Sequence, residues 1–360
     1  MLPLRATFLM EQHLGHQTYY QNLRRHIDHV PGLSASWVPI TYFRDDGLLE
    51  RVAALPKGLR GTLRGTLEAR AGMKAPADVI FFNTQVPAAL GASAIGRRPY
   101  LIATDITPIQ YDAISTLYGH QPDKPGLLKA YKHRVNRRIF RNAYKLLPWS
   151  SWARDSLVQD YGVEGHKVEV LAPGVDLSLL RPGPEKGSSP AKILFVGGDF
   201  ERKGGQKLLL AFRLLPAGSA ELHLVTRSQL PSEPGVVIHN GISPNSPGLI
   251  ELYRRADIFV LPTEAEAFGI AAIEACAAGL PIIANRTGGL VDIVQNGANG
   301  FLLQRGDQNA LLECLRELTT RPDLRQQMGR ASREFAEARF DAVANARRVA
   351  QLLDDAVGAT

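Results

Sequence analysis

Glu266 and Glu274 stand eight positions apart in EAEAFGIAAIEACAAGLP (264–281), with a Phe-Gly step between them and small residues after. The strand-like run DIFVLPT precedes them, and GIAAIEACAAG reads as a compact helix closed by Gly279 and Pro281. Glu266 then precedes the helix and Glu274 falls in its second turn. The first N–H groups of such a helix, here Phe268, Gly269 and Ile270, lack partners inside it and carry the positive end of the helix dipole. They suit an anion, and Gly269 lets a phosphate approach the backbone closely. A diphosphate flanked by two carboxylates roughly 10 Å apart, given the helical rise, describes a nucleotide sugar. One glutamate would accept hydrogen bonds from the sugar and the other from the ribose. Taken alone, the stretch equally allows Glu266 to cap the helix and Glu274 to face solvent.

Two further motifs bear on the choice. FVGGDFERKGG (195–205) is a strand, a Gly-rich turn and the start of a helix near Gly204, and it carries Arg202 and Lys203. Departure of a diphosphate builds negative charge, which fixed cations stabilise; solvated surface cations are the plainer alternative. GxxxxGK[ST] is absent, so triphosphate hydrolysis is not indicated. In NRTGGLVDIVQNGANGFLL (285–303), Gly288 and Gly289 open another helix after the strand PIIAN; the N-terminus of that helix would point into the cleft and place the two glycines at the donor. A glycine pair by itself is a weak signal, since turns use glycine for backbone reasons.

These motifs need strands to hold them. Short β-branched and aromatic runs alternate with helical patterns in both halves of the chain. The first half offers LRATFLM, ASWVPI, DVIFFN, PYLIATD, KLLPWS and KVEVLAP; the second offers KILFVGG, ELHLVT, VVIHNG, IFVLPT, PIIAN and GFLL. The pattern predicts an α/β protein of two doubly wound domains facing a central cleft. A chain of 360 residues suits two domains. LRPGPEKGSSPAK (180–192) concentrates Pro, Gly and Ser and marks a linker, which divides the chain into 1–180 and 181–340.

With 45% hydrophobic and 21% charged residues the composition is globular. No apolar run approaches the roughly 20 residues that span a bilayer. The opening MLPLRATFLM reads as a strand rather than an export signal, so a cytoplasmic protein is expected. Cys276 and Cys314 sit on apolar helical patterns without a CxxC partner, which predicts buried, inert thiols. The net charge of +7 is uneven: residues 1–172 hold 22 Lys/Arg against 14 Asp/Glu.

Together these residues resemble the retaining GT-B glycosyltransferases of glycosyltransferase family 4, kin to bacterial glycogen synthase and phosphatidylinositol mannosyltransferases. The likeness covers nearly the whole chain. EAFGIAAIEACAAGLPIIANRTGGLVDIVQNGANGFLL resembles the family's E-x7-E segment with its glycine-rich continuation. GVDLSLLRP (174–182) is similar to the interdomain passage and YRRADIFVLPTEAEAFG to the lead-in. The resemblance implies two Rossmann-like domains. It places Glu266 at the donor sugar, Glu274 at the ribose, the Phe268 to Ile270 amides at the diphosphate, and Arg202 with Lys203 at the leaving group. It also implies that the last helix, within 341–360, returns to the first domain.

The chain departs from the family in three places. Gly198 and Asp199 stand where relatives often have an arginine directly after the strand. LIATDITPIQYD gives Thr104 and Asp105 where many have a His-Asp pair near the sugar. The loop after the first strand, MEQHLGHQTYYQNL, supplies only Gly15 of the usual glycines, with His13 and His16 beside it. Gly15 is placed at the donor, and His16, Thr104 and Asp105 are candidates for contact with acceptor or sugar. Capping the helix that begins near Pro108 is the alternative for Asp105. His-x-x-His without a third ligand nearby does not predict a metal.

KPGLLKAYKHRVNRRIFRNAYK (124–145) holds eight Lys/Arg and no acid, with Leu128, Tyr131, Val135, Ile139 and Phe140 interleaved at helical spacing. Such a helix would be drawn to an anionic membrane surface; a solvated face over a core stripe is the alternative. Nucleic-acid binding has charge in its favour but no recognition motif, and is not expected. The reading is a metal-independent, cofactor-free enzyme moving a sugar from a nucleoside diphosphate sugar to a hydroxyl acceptor, peripheral at the inner membrane face. A noncatalytic nucleotide-sugar-binding subunit is the competing class.

Overall fold

The apolar runs become parallel strands joined by crossover helices. The computed structural model describes residues 2–13, 15–42, 57–183 and 190–359. It divides into two units. Met1–Asp112, Pro122–Gly174 and Ala342–Thr360 form one; Ala113–Gln121 and Val175–Asp341 form the other. Residues 113–121 thus lie with the second unit, although they precede its other residues by more than fifty positions in the chain. Positions 184–189 of the expected linker lie outside the described residues.

In the first unit the chain runs β1 (Leu4–Glu11), α1 (Gly15–Ile27), β2 (Leu33–Ile40), α2 (Lys57–Gly72), β3 (Val79–Phe82), α3 (Gln85–Leu90), α4 (Ala92–Ile95) and β4 (Tyr100–Thr104). It continues through α5 (Pro108–Ile114), which passes into 113–121, then α6 (Leu127–Asn142), β5 (Lys145–Pro148) and α7 (Ser151–Gln159). The strands form one parallel sheet in the order β2-β1-β3-β4-β5. β3 and β4 are buried along their whole length, as strands covered on both faces must be. The sixth strand expected here, KVEVLAP, does not form. Val168 makes an isolated bridge to Leu146 and packs on the core, and Glu169 N and Leu171 N donate to Leu146 O and Pro148 O at 2.9 and 3.0 Å, so the half-buried segment follows the edge of β5 without completing a strand.

The second unit contains β6 (Ala191–Val196), α8 (Gly205–Phe212), β7 (Ala220–Val225), β8 (Val236–His239), α9 (Pro247–Arg255), β9 (Ile258–Leu261), α10 (Ile270–Ala277), β10 (Ile282–Asn285), α11 (Leu290–Ile293) and β11 (Gly300–Leu303). α12 (Gln308–Thr320) and α13 (Pro322–Arg339) complete it. Its parallel sheet has the order β11-β10-β9-β6-β7-β8. Burial pushes the Cys276 thiol on α10 up to about 12 and the partly buried Cys314 thiol on α12 up to about 11, so both are unreactive.

The last helix, α14 (Ala342–Gly358), packs in the first unit. Its Arg348 forks onto Glu169 at 2.7 and 2.8 Å, and Asn345 donates to Ala172 O at 2.9 Å. Asn22 of α1 donates to Gly174 O at 3.0 Å. A Cβ at Gly174 would lie 2.3 Å from Ala342 Cα, so helix and strap meet backbone to backbone. Gly174→Ala should therefore lower unfolding stability by about 1–3 kcal/mol through overpacking. Gly165→Ala, where a Cβ meets nothing, should change it by less than about 0.5 kcal/mol. Denaturant titration of the two variants checks this, and equal midpoints would refute the close approach.

Candidate active site

The second sheet reverses its strand order between β6 and β9, and ligands of open parallel sheets sit beyond the carboxyl ends at such a switch. The loops leaving there are 197–204, with the two cations, and 262–269, with the first glutamate. Glu264 N donates to Arg202 O at 3.3 Å, and Thr263 Oγ1 lies 3.2 Å from the same carbonyl. The Arg202 guanidinium bonds Asp199 at 3.2 Å and Ala265 O at 2.9 Å, and lies 4.2 Å from the centroid of the Tyr118 ring. Lys203 pairs with Glu266, and Lys207 with Glu264.

Glu266 is thus no helix cap. α10 starts from Gly269, left-handed at φ +110°, without a side-chain cap. The amides of Gly269, Ile270 and Ala271 donate to nothing among the described residues. Buried Phe268 packs its ring on Gly289. A Cβ at Gly288 would lie 1.7 Å from Glu266 O, and Gly289 N donates to Ala267 O at 3.0 Å. The glycine pair therefore lets the loop after β10 rest directly on the backbone of the first glutamate.

Glu274 does not face solvent: it is 5% exposed. The Tyr253 hydroxyl, from α9, donates to its Oε2 at 2.8 Å. Burial pushes the Glu274 carboxyl up to about 7, with the Tyr253 bond pulling the other way. Burial and the nearby carboxylate raise the Tyr253 phenol well above its ordinary range.

In the first unit the switch lies between β1 and β3. Gly15 begins α1, and His16 Nε2 lies 3.4 Å from Asp105 Oδ1 at the end of β4, with its ring 5.0 Å from that of Trp149. Burial presses the imidazole down, but attraction to Asp105, the bond to it and attraction to Glu11 outweigh that, so it titrates above its ordinary value. His16 Nδ1 is buried without a partner.

Two expectations for this unit need correcting. Thr104 is 0% exposed, its hydroxyl 2.8 Å from Ile106 O and 3.2 Å from Gln85 Oε1, so strand pleat and burial turn it away from any ligand. Asp105 does not cap α5; Thr107 does, with Oγ1 3.4 Å from Gln110 N. His13 stacks on Tyr42 while His16 meets Asp105, and among the described residues no three His, Cys, Asp or Glu side chains converge on a metal position.

Three residues escaped the sequence reading. Tyr253 follows Leu249 by four positions on the buried stripe of α9, and a buried phenol needs a partner; that spacing was the available signal. Tyr118 is distant from Arg202 in sequence, and nothing in the chain's pattern joins them. Arg227, exposed beyond β7, lies beside Gly198: a Cβ there would meet its Nε at 2.9 Å. A guanidinium from the loop after β7 thus reaches the turn after β6, where the resemblance expects an arginine and the chain has Gly198 and Asp199.

Two family models match the chain: "Glycosyl transferases group 1" over residues 234–335 and "Glycosyltransferase Family 4" over 36–179. Between them they take in more than half of it. The D-inositol 3-phosphate glycosyltransferase of Corynebacterium kroppenstedtii is 28% identical over 250 residues, 61% of this chain and 55% of that protein. Its namesake in Streptomyces avermitilis is 32% identical over 233 residues, 56% and 49% respectively. The chain therefore spans about half the length of the curated relatives it matches. Among solved structures, sucrose-phosphate synthase from Thermosynechococcus elongatus has a TM-score of 0.80 at 19% identity, covering 99% of this chain and 100% of that one. Anabaena HepE, solved with UDP and glucose, gives 0.70 at 17%, covering 98% and 99%. The fold is that of GT-B glycosyltransferases.

The buried carboxyl leaves a mark on stability. Glu274 titrates near 7 when folded and near the ordinary 4.5 when unfolded, so between those values the folded chain keeps a proton that the unfolded chain has released. Its contribution is full below the lower value and is lost as pH rises through the upper one, by roughly 3 kcal/mol in all. The urea midpoint should fall between about pH 5 and pH 8, and Glu274→Gln should flatten that slope. An unchanged slope in the variant would refute the buried, proton-holding carboxyl.

Proposed function

This chain belongs to glycosyltransferase family 4, and from that premise we propose that it transfers a hexosyl group from a nucleoside diphosphate sugar to a hydroxyl acceptor, with retention at the anomeric carbon and without a metal. The observation that carries the reading is the start of α10: three amides without acceptors among the described residues, Glu266 before them and Glu274 after them, beside a turn that presents Arg202 and Lys203. Of the amides expected at the diphosphate, those of Gly269 and Ile270 would take it together with that of Ala271, with Glu274 at the ribose and Glu266 at the sugar, while Gly288 and Gly289, expected at the donor, hold the backbone beside it. Gly15, His16 and Asp105 in the first unit would serve the donor or acceptor.

Departure of the nucleoside diphosphate places extra charge on its terminal phosphate. Arg202, already fixed by Asp199 and Ala265 O, needs little reorganisation to meet it. Lys203 would exchange part of its bond to Glu266 for the phosphate. Replacing both by Ala should lower kcat by at least about 100-fold, with less change in affinity for the bare nucleoside diphosphate. Nucleotide release from a panel of UDP, GDP and ADP sugars, with and without excess EDTA, measures it. Normal turnover of the double variant, or abolition by EDTA, would overturn the metal-free mechanism; an inverted product anomer would overturn retention.

Peripheral membrane contact is part of the same reading. The carboxyl half of α6 buries Ile139 and Phe140 with Val135 against the core, an ordinary stripe, whereas Leu127, Leu128 and Tyr131 at its start are exposed. Lys129 pairs with Asp112 and Lys132 with Asp123, but Arg134, Arg137, Arg138 and Arg141 make no ion pair among the described residues. Charge with exposed apolar tips suits an anionic interface. No described helix is long and apolar enough to cross a membrane. The protein should sediment with anionic but not zwitterionic liposomes and loosen with salt, since exposed charges are screened within about 8 Å at physiological ionic strength. Reversing Arg137, Arg138 and Arg141 to Glu should release it, and equal binding of variant and wild type would refute the contact.

A further inference from the structure

The proposed donor site leaves one buried group without a task. Tyr253, fully buried on α9, sends its hydroxyl into α10. That hydroxyl lies 2.8 Å from Glu274 Oε2 and 3.1 Å from Ala271 O, and its single proton favours the carboxylate, the stronger acceptor. Glu274 Oε1 has no hydrogen-bond partner among the described residues and is not fully enclosed. One oxygen is held and the other is open.

We propose that Tyr253 is a positioning residue for donor binding: by holding Oε2 of Glu274 it fixes the carboxylate so that Oε1 is presented to the ribose hydroxyls. This rests on the reading of Glu274 as the ribose contact. Free of that bond, the carboxylate would sit in an apolar pocket with no donor to favour its charged form, and it would keep its proton to higher pH. A protonated Glu274 accepts a hydroxyl bond poorly, so Tyr253 sets both the direction and the availability of the acceptor.

The surroundings leave this task to Tyr253. β9 and β10, against which α10 packs, offer IFVL and IIAN, with no ionisable side chain. Cys276 on α10 itself stays neutral, its thiol pushed up to about 12 by burial. On α13, Arg333 spends its guanidinium on Ala277 O, Leu180 O and Glu337, and on α11 Asp292 is half-buried; neither shifts Glu274.

Titration of Tyr253→Phe with UDP, GDP and ADP from about pH 6 to pH 9 tests it. The variant should bind roughly tenfold more weakly at neutral pH, the worth of a hydrogen bond to a charged group. Its affinity should also need higher pH than wild type to reach its plateau, so that the loss narrows at the alkaline end. In a Glu274→Gln background, which has no charge to hold, Tyr253→Phe should add less than twofold. A loss of the same size at every pH, or one that persists undiminished in the Gln background, would assign Tyr253 a packing role and overturn the proposal. Should Tyr253→Phe fail to fold, Glu274→Gln alone decides, because its binding must lose the pH dependence shown by wild type; an unaltered profile overturns the proposal. Full nucleotide affinity in Glu274→Gln would instead sink the ribose reading on which the proposal rests.

Discussion

The carbonyl of Arg202 accepts from the amide of Glu264, and through that contact the turn after β6 is fastened to the loop after β9. The sheet makes the contact possible, because its order reverses between these two strands and their loops leave side by side. With the loops joined, the charges on them fall into register: Lys203 against Glu266, Lys207 against Glu264, and Arg202 under Ala265 O. The glycine pair 288–289 closes the third side by lying on the Glu266 carbonyl. The geometry of the site is thus a consequence of backbone contacts, and the side chains inherit it.

Pairing is also what lets so many charges stand together in a partly buried place. Lys203 and Glu266 are each mostly withdrawn from water, and either alone would carry an uncompensated desolvation cost. Replacing such a pair by apolar residues is often neutral or stabilising, so the pair is weak evidence for stability. The α10 amides raise the same need for partners from the backbone. Three N–H groups without acceptors among the described residues are tolerable where water or an anion reaches them.

Much of this was legible in the sequence. The spacing of Glu266 and Glu274 around a Gly-initiated helix survives in α10, and the alternating runs give the strands of both sheets, because parallel strands buried on both faces read as short continuous apolar stretches. KVEVLAP lies along the edge of β5 with one isolated bridge and two backbone bonds, and its alternation does not show whether such pairing extends to a full strand. Thr104 was misread for a related reason: the end of a strand is legible, but whether its last side chain turns inward is decided by Gln85 and the Ile106 carbonyl. For Asp105 the resemblance and the strand end offer a ligand and the nearby helix start offers a cap, yet its partner His16 arrives from α1, eighty-nine positions earlier in the chain. The basic helix divides into a core half and an exposed half, which one helical period cannot separate. Long-range pairs such as Tyr118 with Arg202 leave no local trace at all.

Glu274 shows what such a site costs the fold. An apolar residue of similar size on the buried face of α10 would avoid both the desolvation of a carboxylate and the need for Tyr253 to answer it. The carboxyl instead lies in a pocket that pushes it up to about 7, where its charge is half present at neutral pH. Stability at alkaline pH is given up, and an ionisable acceptor is kept inside a buried helix interface. Tyr253 limits the sacrifice by stabilising the charged form with one bond while leaving Oε1 open. That asymmetry, one oxygen held and one not, differs from a carboxylate retained for packing, whose oxygens would both be satisfied by the protein around it.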